Sequence, residues 1–252
     1  MRIAHLADAH LGFRQFQRLD ADGLNQREAD VAAAFRRAVD AVISRAPDAV
    51  VIAGDLFHAV RPTNRSIIEA FTQLSRLRQT LPAAPVILIA GNHDTPRSSE
   101  AGSILKLMTS LGVDVVDDVA RRLSYPDLGL SVLAVPHAAL LRDTVRNWTP
   151  DGGAKTNVLV LHPEITGFFP ETGESDYGGV RVDPQELGAE WDYVALGHYH
   201  VTTEITSRAW YSGSLEYTSP NIWGELAVER ERRVTKGILI ADTGTRRVER
   251  VS

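Results

Sequence analysis

Nine side chains in this 252-residue sequence are of kinds that hold divalent cations: Asp8, His10, Asp55, His58, Asn92, His93, His162, His198 and His200. Imidazole, carboxylate and amide oxygen together suit Mn, Fe or Zn, whereas Mg and Ca prefer nearly all oxygen. A carboxylate can bridge two ions, and Asp55, at a tight turn beside Gly54, is a candidate bridge. Neutral imidazoles and Asn92 would fill coordination positions without cancelling charge. Two cations against two aspartates and a hydroxide therefore leave a positive pocket, which attracts a phosphodiester even on an acidic protein.

One Asp-x-His or His-x-His is a weak signal, because a lone histidine is more often packed in a core than bound to a metal. Here five such elements follow one another, and each closes an apolar run: "RIAHLADAH", "AVVIAGDLFH", "PVILIAGNHD", "NVLVLHPE" and "YVALGHYH". In extended chain, residues i and i+2 point the same way, roughly 6.5–7 Å apart. That spacing would turn Asp8 and His10, and likewise His198 and His200, into one pocket. His5 lies inside the first run and reads as a packed, hydrogen-bonded core residue. His137 lies outside the pattern and reads as structural, with support of a ligand as the alternative.

The runs that carry these residues are short and rich in Val, Ile and Leu, the pattern of strands buried on both faces. "LSVLAVPH" is a sixth. Helical periodicity lies between them. Val31, Phe35, Ala38, Val39 and Val42 recur at three- and four-residue steps up to Pro47. Ser66 with Glu69 reads as a capping box opening a helix with Ile67, Phe71, Leu74 and Leu77. Ile104, Leu105, Met108 and Leu111 form a third helix ended by Gly112. Alternating strand and helix is the pattern of an α/β domain with parallel strands, whose sites lie beyond the carboxyl ends of the strands. After Leu130 the helical signal fades. "ERERRVTKGILIAD" (229–242) reads as a charged turn and a strand, and 166–179 as the most loop-like stretch. No repeat or low-complexity tract breaks the chain, so a single domain over 1–252 is expected.

Composition narrows the function classes. Cysteine is absent, which removes disulfides, thiolate metal sites and cysteine nucleophiles. No stretch has the length of a signal h-region or a membrane span, so a soluble, cytoplasmic protein is expected. The net charge of −5 is unlike that of a nucleic-acid coat, so a phosphate-bearing substrate must be drawn by a local field.

"DAH", "GDLFH", "GNHD", the lone His162 and "GHYH", in this order, resemble the five motifs of the calcineurin-like metallophosphoesterases. "DAHLGF", "GDLFHAVRPTN", "GNHDTP" and the late "YSGSLEYTS…ERRVTKG" resemble, more narrowly, DNA double-strand-break repair nucleases of the SbcD type, over about residues 1–242. The resemblance implies a four-layer α/β/β/α sandwich of two mixed sheets flanked by helices. It implies one ion on Asp8, His10, Asp55 and His200, and another on Asp55, Asn92, His162 and His198, most commonly Mn²⁺ with Fe or Zn as alternatives. It implies catalytic roles for His58 and His93, which touch phosphate or leaving group in the family. A histidine at position 58 favours the nuclease branch over phosphatases, which tend to carry an acid there. Asp94 is read either as holding an imidazole or as a plain turn residue. DNA would be the substrate, with Arg14, Arg18, Arg61, Arg65 and Arg97, just after motif residues, as candidate backbone contacts. "QFQRLD" resembles a substrate-side loop of the family. An SbcC-like SMC-type ATPase and a second copy of the chain are the implied partners. SbcD-type nucleases continue into a capping domain and an ATPase-docking segment, and none is evident before Ser252. The competing reading is a phosphodiesterase or phosphatase of small nucleotides on the same ions. A binding module with a dead site would show broken motifs, and all five are intact.

Overall fold

In a computed structural model, residues 1–96, 102–143, 146–168 and 179–252 are described. Arg97 and most of the loop-like stretch at 166–179 fall outside the described residues. The first half alternates strand and helix: β1 (Arg2–Leu6), α1 (Gln26–Arg45), β2 (Ala49–Ile52), α2 (Asn64–Thr80) and β3 (Val86–Ile89). A 3₁₀ helix, Ile104–Leu111, and β4 (Asp114–Val116) follow. The second half is mostly strand: β5 (Arg121–Tyr125), β6 (Leu130–Ala134), the short α3 (His137–Arg142), β7 (Thr156–Leu161), β8 (Glu164–Ile165), β9 (Arg181–Val182), β10 (Tyr193–Leu196), β11 (Thr203–Thr206) and β12 (Ala209–Tyr211). It ends with α4 (Ile222–Arg232), β13 (Ile238–Asp242) and β14 (Arg247–Val251).

β8 and β9 form a small parallel pair of their own. The other strands form two mixed sheets, in the orders β14-β13-β1-β2-β3-β4 and β11-β12-β10-β7-β6-β5. β1 to β4 run parallel, as do β6, β7, β10 and β12, while the remaining neighbours are antiparallel. Central strands are buried on both faces because each sheet is covered on both sides. Ile3, Val51, Ile87, Val132, Val158 and Ala195 pack between the sheets. α1, α2 and the 3₁₀ helix cover the first sheet through Val31, Phe35, Leu74 and Met108. α3, Leu187 and Trp191 cover the second. The architecture is the expected α/β sandwich of two mixed sheets flanked by helices. Each large aliphatic side chain buried in these layers is worth roughly 1.5–3 kcal/mol against exposure.

Three local readings change. The N-cap of α2 is Thr63, whose Oγ1 accepts from Ser66 N at 3.2 Å, so the helix starts one turn before the Ser66–Glu69 box. Glu69 instead pairs with Arg36 at 2.8 Å. The segment read as a charged turn and a strand at 229–242 begins instead with the last turn of α4 and ends, as expected, in a strand, β13. The Ile104–Leu111 segment winds as 3₁₀, ended as expected by Gly112 at φ +76°. Among the described residues, no helix is long and apolar enough to cross a membrane.

Candidate metal centre

The parallel strands of both sheets end at one side of the molecule, and the motif loops run on from there in register. Asp8 N donates to Gly54 O at 3.0 Å, His10 N to Asp55 O at 3.0 Å and Leu11 N to Leu56 O at 2.9 Å. The first and second motif loops thus continue the β1–β2 ladder. In the other sheet Gly197 N donates to Leu161 O at 3.0 Å, setting the fourth loop beside the fifth.

Extended alternation is not what aims the side chains. β1 ends at Leu6, and Asp8 (φ +53°), His10 (φ +48°), Asp55 (φ +52°) and His198 (φ +97°) have left-handed backbone. Such conformations are uncommon outside glycine and cluster at functional sites. Glycine clears the space between the loops. A Cβ on Gly91 would stand 2.1 Å from Asp55 Oδ1, and one on Gly197 2.0 Å from Ala53 O.

The nine residues converge. Asp55 Oδ2 lies 3.2 Å from His162 Nε2 and 3.8 Å from His10 Nε2. Asn92 Oδ1 lies 3.0 Å from His162 Nε2 and 3.1 Å from His198 Nδ1. His10 Nε2 and His200 Nε2 face each other at 3.1 Å. Donor atoms of Asp8, His10 and His200 fall within 4.8 Å of one another, as do those of Asp8, Asp55 and His162, and those of His10, His58 and His93. Asp8 also joins the sheets, since its carboxylate accepts His198 N at 3.0 and 3.1 Å.

The far side of three imidazoles shows how they are aimed. His162 Nδ1 is 2.7 Å from Ala53 O, His198 Nε2 is 3.4 Å from Glu164 Oε1, and His200 Nδ1 is 3.3 Å from Glu225 Oε1. Each acceptor holds the ring proton on the outer nitrogen, so the inner nitrogen keeps its lone pair for a cation. A buried set of inward lone pairs, carboxylates and one amide oxygen fits divalent metal. Burial alone would raise the Asp55 carboxyl, but His162, His10 and His93 hold it well below the usual range. Burial would lower His162, yet Asp55 and Asp8 lift it to about 9. Burial raises Asp8. A charged His162 must release its proton before its Nε2 can bind a cation.

Glu164, Glu225 and Lys236 escape the motif reading. Glu164 carried a faint signal, a carboxylate two residues beyond His162. Glu225 carried none. Lys236 Nζ donates to Glu225 Oε2 at 2.7 Å, His200 O at 2.8 Å and Ser214 Oγ at 2.9 Å, and pairs with Glu229 at 3.2 Å. Asp94 is buried among the motif loops. Its carboxylate accepts the backbone N–H of Leu56, Phe57 and Gly91 at 3.1, 3.0 and 3.3 Å, bracing two motif loops. His5 is hydrogen-bonded to Tyr193 Oη at 2.9 Å inside the core. His137 is buried at the start of α3, where its backbone N–H donates to Ala90 O at 2.9 Å.

An open cleft of about 270 Å³ leads to this centre, lined by His10, Phe13, Arg14, Gln15, His58, His93, His200, Thr218 and Pro220. His58 and His93 stack there with centroids 5.1 Å apart, and His93 Nδ1 is 2.8 Å from His58 O. Of the candidate arginines that are described, only Arg14 lines the cleft, anchored by Glu28 at 2.6 Å. Arg18, Arg61 and Arg65 are exposed away from its lining.

The family profile for calcineurin-like phosphoesterases matches residues 1–202. The chain belongs to that family. As a member it is a metal-dependent phosphoesterase, a hydrolase. Its relatives include the DNA double-strand break repair proteins Mre11 of Sulfurisphaera tokodaii (29% identical over 96% of this chain and 59% of the relative) and Methanopyrus kandleri (29%, 96% and 54%). That of Thermoplasma acidophilum is 30% identical over 86% of this chain and 57% of the relative. The phosphoesterase thus spans a little over half the length of these curated relatives. A solved structure, the nuclease MPE of Pseudomonas putida, is 20% identical with a TM-score of 0.29, covering 64% of this chain and 62% of that one. A likeness that low carries no argument about this phosphoesterase.

Proposed function

We propose that this phosphoesterase is a DNA nuclease acting in repair, hydrolysing phosphodiester bonds at a two-ion centre. The observation that carries the two-ion reading is Asp55, whose Oδ2 lies 3.8 Å from His10 Nε2 and 3.2 Å from His162 Nε2, nitrogens carried by different sheets. Asp8, His10, Asp55 and His200 would hold one ion, and Asp55, Asn92, His162 and His198 the other. The family resemblance favours Mn²⁺, and Fe and Zn share these ligands. When bound, such ions supply Lewis-acid charge neutralisation and activation of water near neutral pH.

The chain's own residues divide the remaining work. The His58 carbonyl fixes the proton of His93 on Nδ1, leaving Nε2 to exchange a proton with the leaving oxygen. His58, stacked on His93 and packed edge-on against Phe13 at 5.0 Å, holds that ring over the cleft and helps place the phosphate. Arg14 contributes a guanidinium at the mouth for a flanking phosphate. Arg18, Arg61, Arg65 and Arg97 complete the proposed backbone contacts at longer range. The relatives' names support DNA as the substrate; the cytoplasmic location rests on the sequence reading alone. On resemblance alone we also place an SMC-type ATPase as partner. Self-association would use α2 and the 3₁₀ helix, where Ile68 (65%) and Leu107 (42%) are exposed.

The test is a digestion panel with Mn²⁺, using end-labelled duplex, hairpin and single-stranded DNA beside cyclic nucleotides and a chromogenic diester. DNA is cut, and a His93→Ala protein keeps its metal content while losing roughly 10²–10⁴-fold in rate. The net charge of −5 favours the second reading, a small-nucleotide phosphodiesterase. Turnover of the nucleotides with DNA left intact would establish that reading instead.

A further inference from the structure

Three of the four imidazoles assigned to the two-ion centre turn the outer nitrogen to an oxygen that fixes its proton: His162, His198 and His200. His10 is the exception. Its Nε2 faces the centre, 3.1 Å from His200 Nε2, and its Nδ1 faces another imidazole nitrogen, His58 Nδ1, at 3.4 Å. A neutral imidazole has one lone pair, so the two directions are alternatives. With the proton on Nδ1, His10 offers Nε2 to the centre and donates to His58. With the proton on Nε2, His10 and His58 aim lone pairs at one another, an arrangement that a cation between them stabilises.

The surroundings of that second direction suit a cation. His10, His58 and His93 each bring a donor atom within 4.8 Å of the other two. His93 Nδ1 lies 2.8 Å from His58 O, which leaves the lone pair on Nε2. The His10 ring stands edge-on to both partners, with centroids 5.5 Å from His58 and 4.8 Å from His93. Nitrogens held at roughly 2.0–2.1 Å by a tetrahedral ion lie roughly 3.3–3.4 Å from one another. His10 and His58 already have that separation. All three residues line the open cleft, so an ion can enter from solvent and keep a fourth position open towards it.

This donor set differs from that of the neighbouring centre, because it holds three imidazoles and neither carboxylate nor amide oxygen. Mn²⁺ stands lowest among the first-row divalent ions in affinity and favours carboxylates, whereas Zn²⁺ binds imidazole well. Three histidines with a fourth position open is a common zinc arrangement. We infer that His10, His58 and His93 form a further cation site, selective for Zn²⁺ over Mn²⁺, whose occupation withdraws His10 from the two-ion centre and covers both catalytic imidazoles. Zinc is then an inhibitor of the manganese-loaded protein. The withdrawal of His10 rests on the two-ion reading, whereas the triad stands without it.

The experiment is equilibrium dialysis against Zn²⁺ at saturating Mn²⁺, with both metals measured by elemental analysis. The wild-type protein takes up one Zn²⁺ and gives up one Mn²⁺. His58→Ala and His93→Ala proteins keep their Mn²⁺, and their Zn²⁺ affinity falls by at least the roughly 10–100-fold that loss of a mere supporting contact costs. An Asp55→Asn protein loses the shared carboxylate and no member of the triad. It still takes up one Zn²⁺, now whatever the Mn²⁺ concentration, and imidazole ¹⁵N NMR of that complex finds the ion on Nδ1 of His10. Circular dichroism establishes that the variants fold. Equal Zn²⁺ uptake by the wild-type, His58→Ala and His93→Ala proteins overturns the proposal, since zinc would then merely replace manganese in the centre. So does an Asp55→Asn protein that binds no Zn²⁺, or one that binds it through Nε2 of His10. A wild-type protein that takes up Zn²⁺ through the triad but never holds two Mn²⁺ removes the two-ion reading and leaves the triad in place.

Discussion

Asp55 shows how much one side chain is asked to do. It has left-handed backbone, its carboxylate lies between imidazoles of two sheets, and its Oδ1 accepts His93 N at 2.9 Å. An Asp55→Asn protein keeps the shape and loses the charge. We expect it to fold, to bind fewer than two ions by elemental analysis, and to fall to background activity. Gly91→Ala tests the same point from outside, because the new Cβ would stand 2.1 Å from Asp55 Oδ1. Metal content is again the readout, expected to drop while circular dichroism is unchanged. His5 gives a prediction about pH. Burial lowers its pKa from 6.5 to about 3. Between those values the unfolded chain takes up a proton that the native state refuses, so stability falls as pH drops from 6.5 towards 3. One such group contributes a slope of about 1.4 kcal/mol per pH unit inside the window. A His5→Gln protein followed by urea denaturation from pH 7 to pH 4 loses that part of the slope. An unchanged slope would place the proton elsewhere. The nine candidate site residues were legible from side-chain type and spacing. The left-handed backbone of Asp8, His10, Asp55 and His198 was not, because the alternation rule assumes a strand that has already ended.

At the scale of elements, legibility tracked where the apolar residues point. The central strands and α1 bury aliphatic faces and were readable from periodicity. α4 was not, because its inner face is Glu225 and Glu229, gathered around Lys236, while Ile222, Leu226 and Val228 are only partly covered. A rule that looks for hydrophobic stripes reads such a helix as a charged turn. The inversion serves the metal centre, since Glu225 fixes the outer nitrogen of His200. Removing an acceptor that orients a ligand typically costs 10–100-fold in metal affinity. We therefore expect Glu225→Gln and Glu164→Gln to weaken metal binding by that factor in calorimetric titration, with Lys236→Met following Glu225→Gln in direction. Equal affinity for all four proteins would reduce these contacts to packing.

At the scale of the molecule, the centre straddles the seam between the sheets. Asp8, His10, Asp55 and Asn92 come from one sheet and His162, His198 and His200 from the other, so bound cations tie the two together. Ligand that binds only the folded state stabilises it by about 2.7 kcal/mol at a hundredfold excess over Kd. Unfolding temperature should rise with Mn²⁺ concentration, and a chelator should reverse the rise in a His93→Ala protein as fully as in the wild type. The order of the first sheet has a separate consequence. β1 carries the first motif, yet its outer neighbour, β13, begins 232 residues after β1 ends, and the two pair antiparallel with His5 opposite Leu239. The family match stops at residue 202, short of β13 and β14. A protein cut back to that boundary would keep every proposed ligand while baring one long side of β1 as unpaired amides and carbonyls. Exposed edges of that kind recruit other chains. Such a fragment should precipitate or form fibrils where the whole chain stays monodisperse.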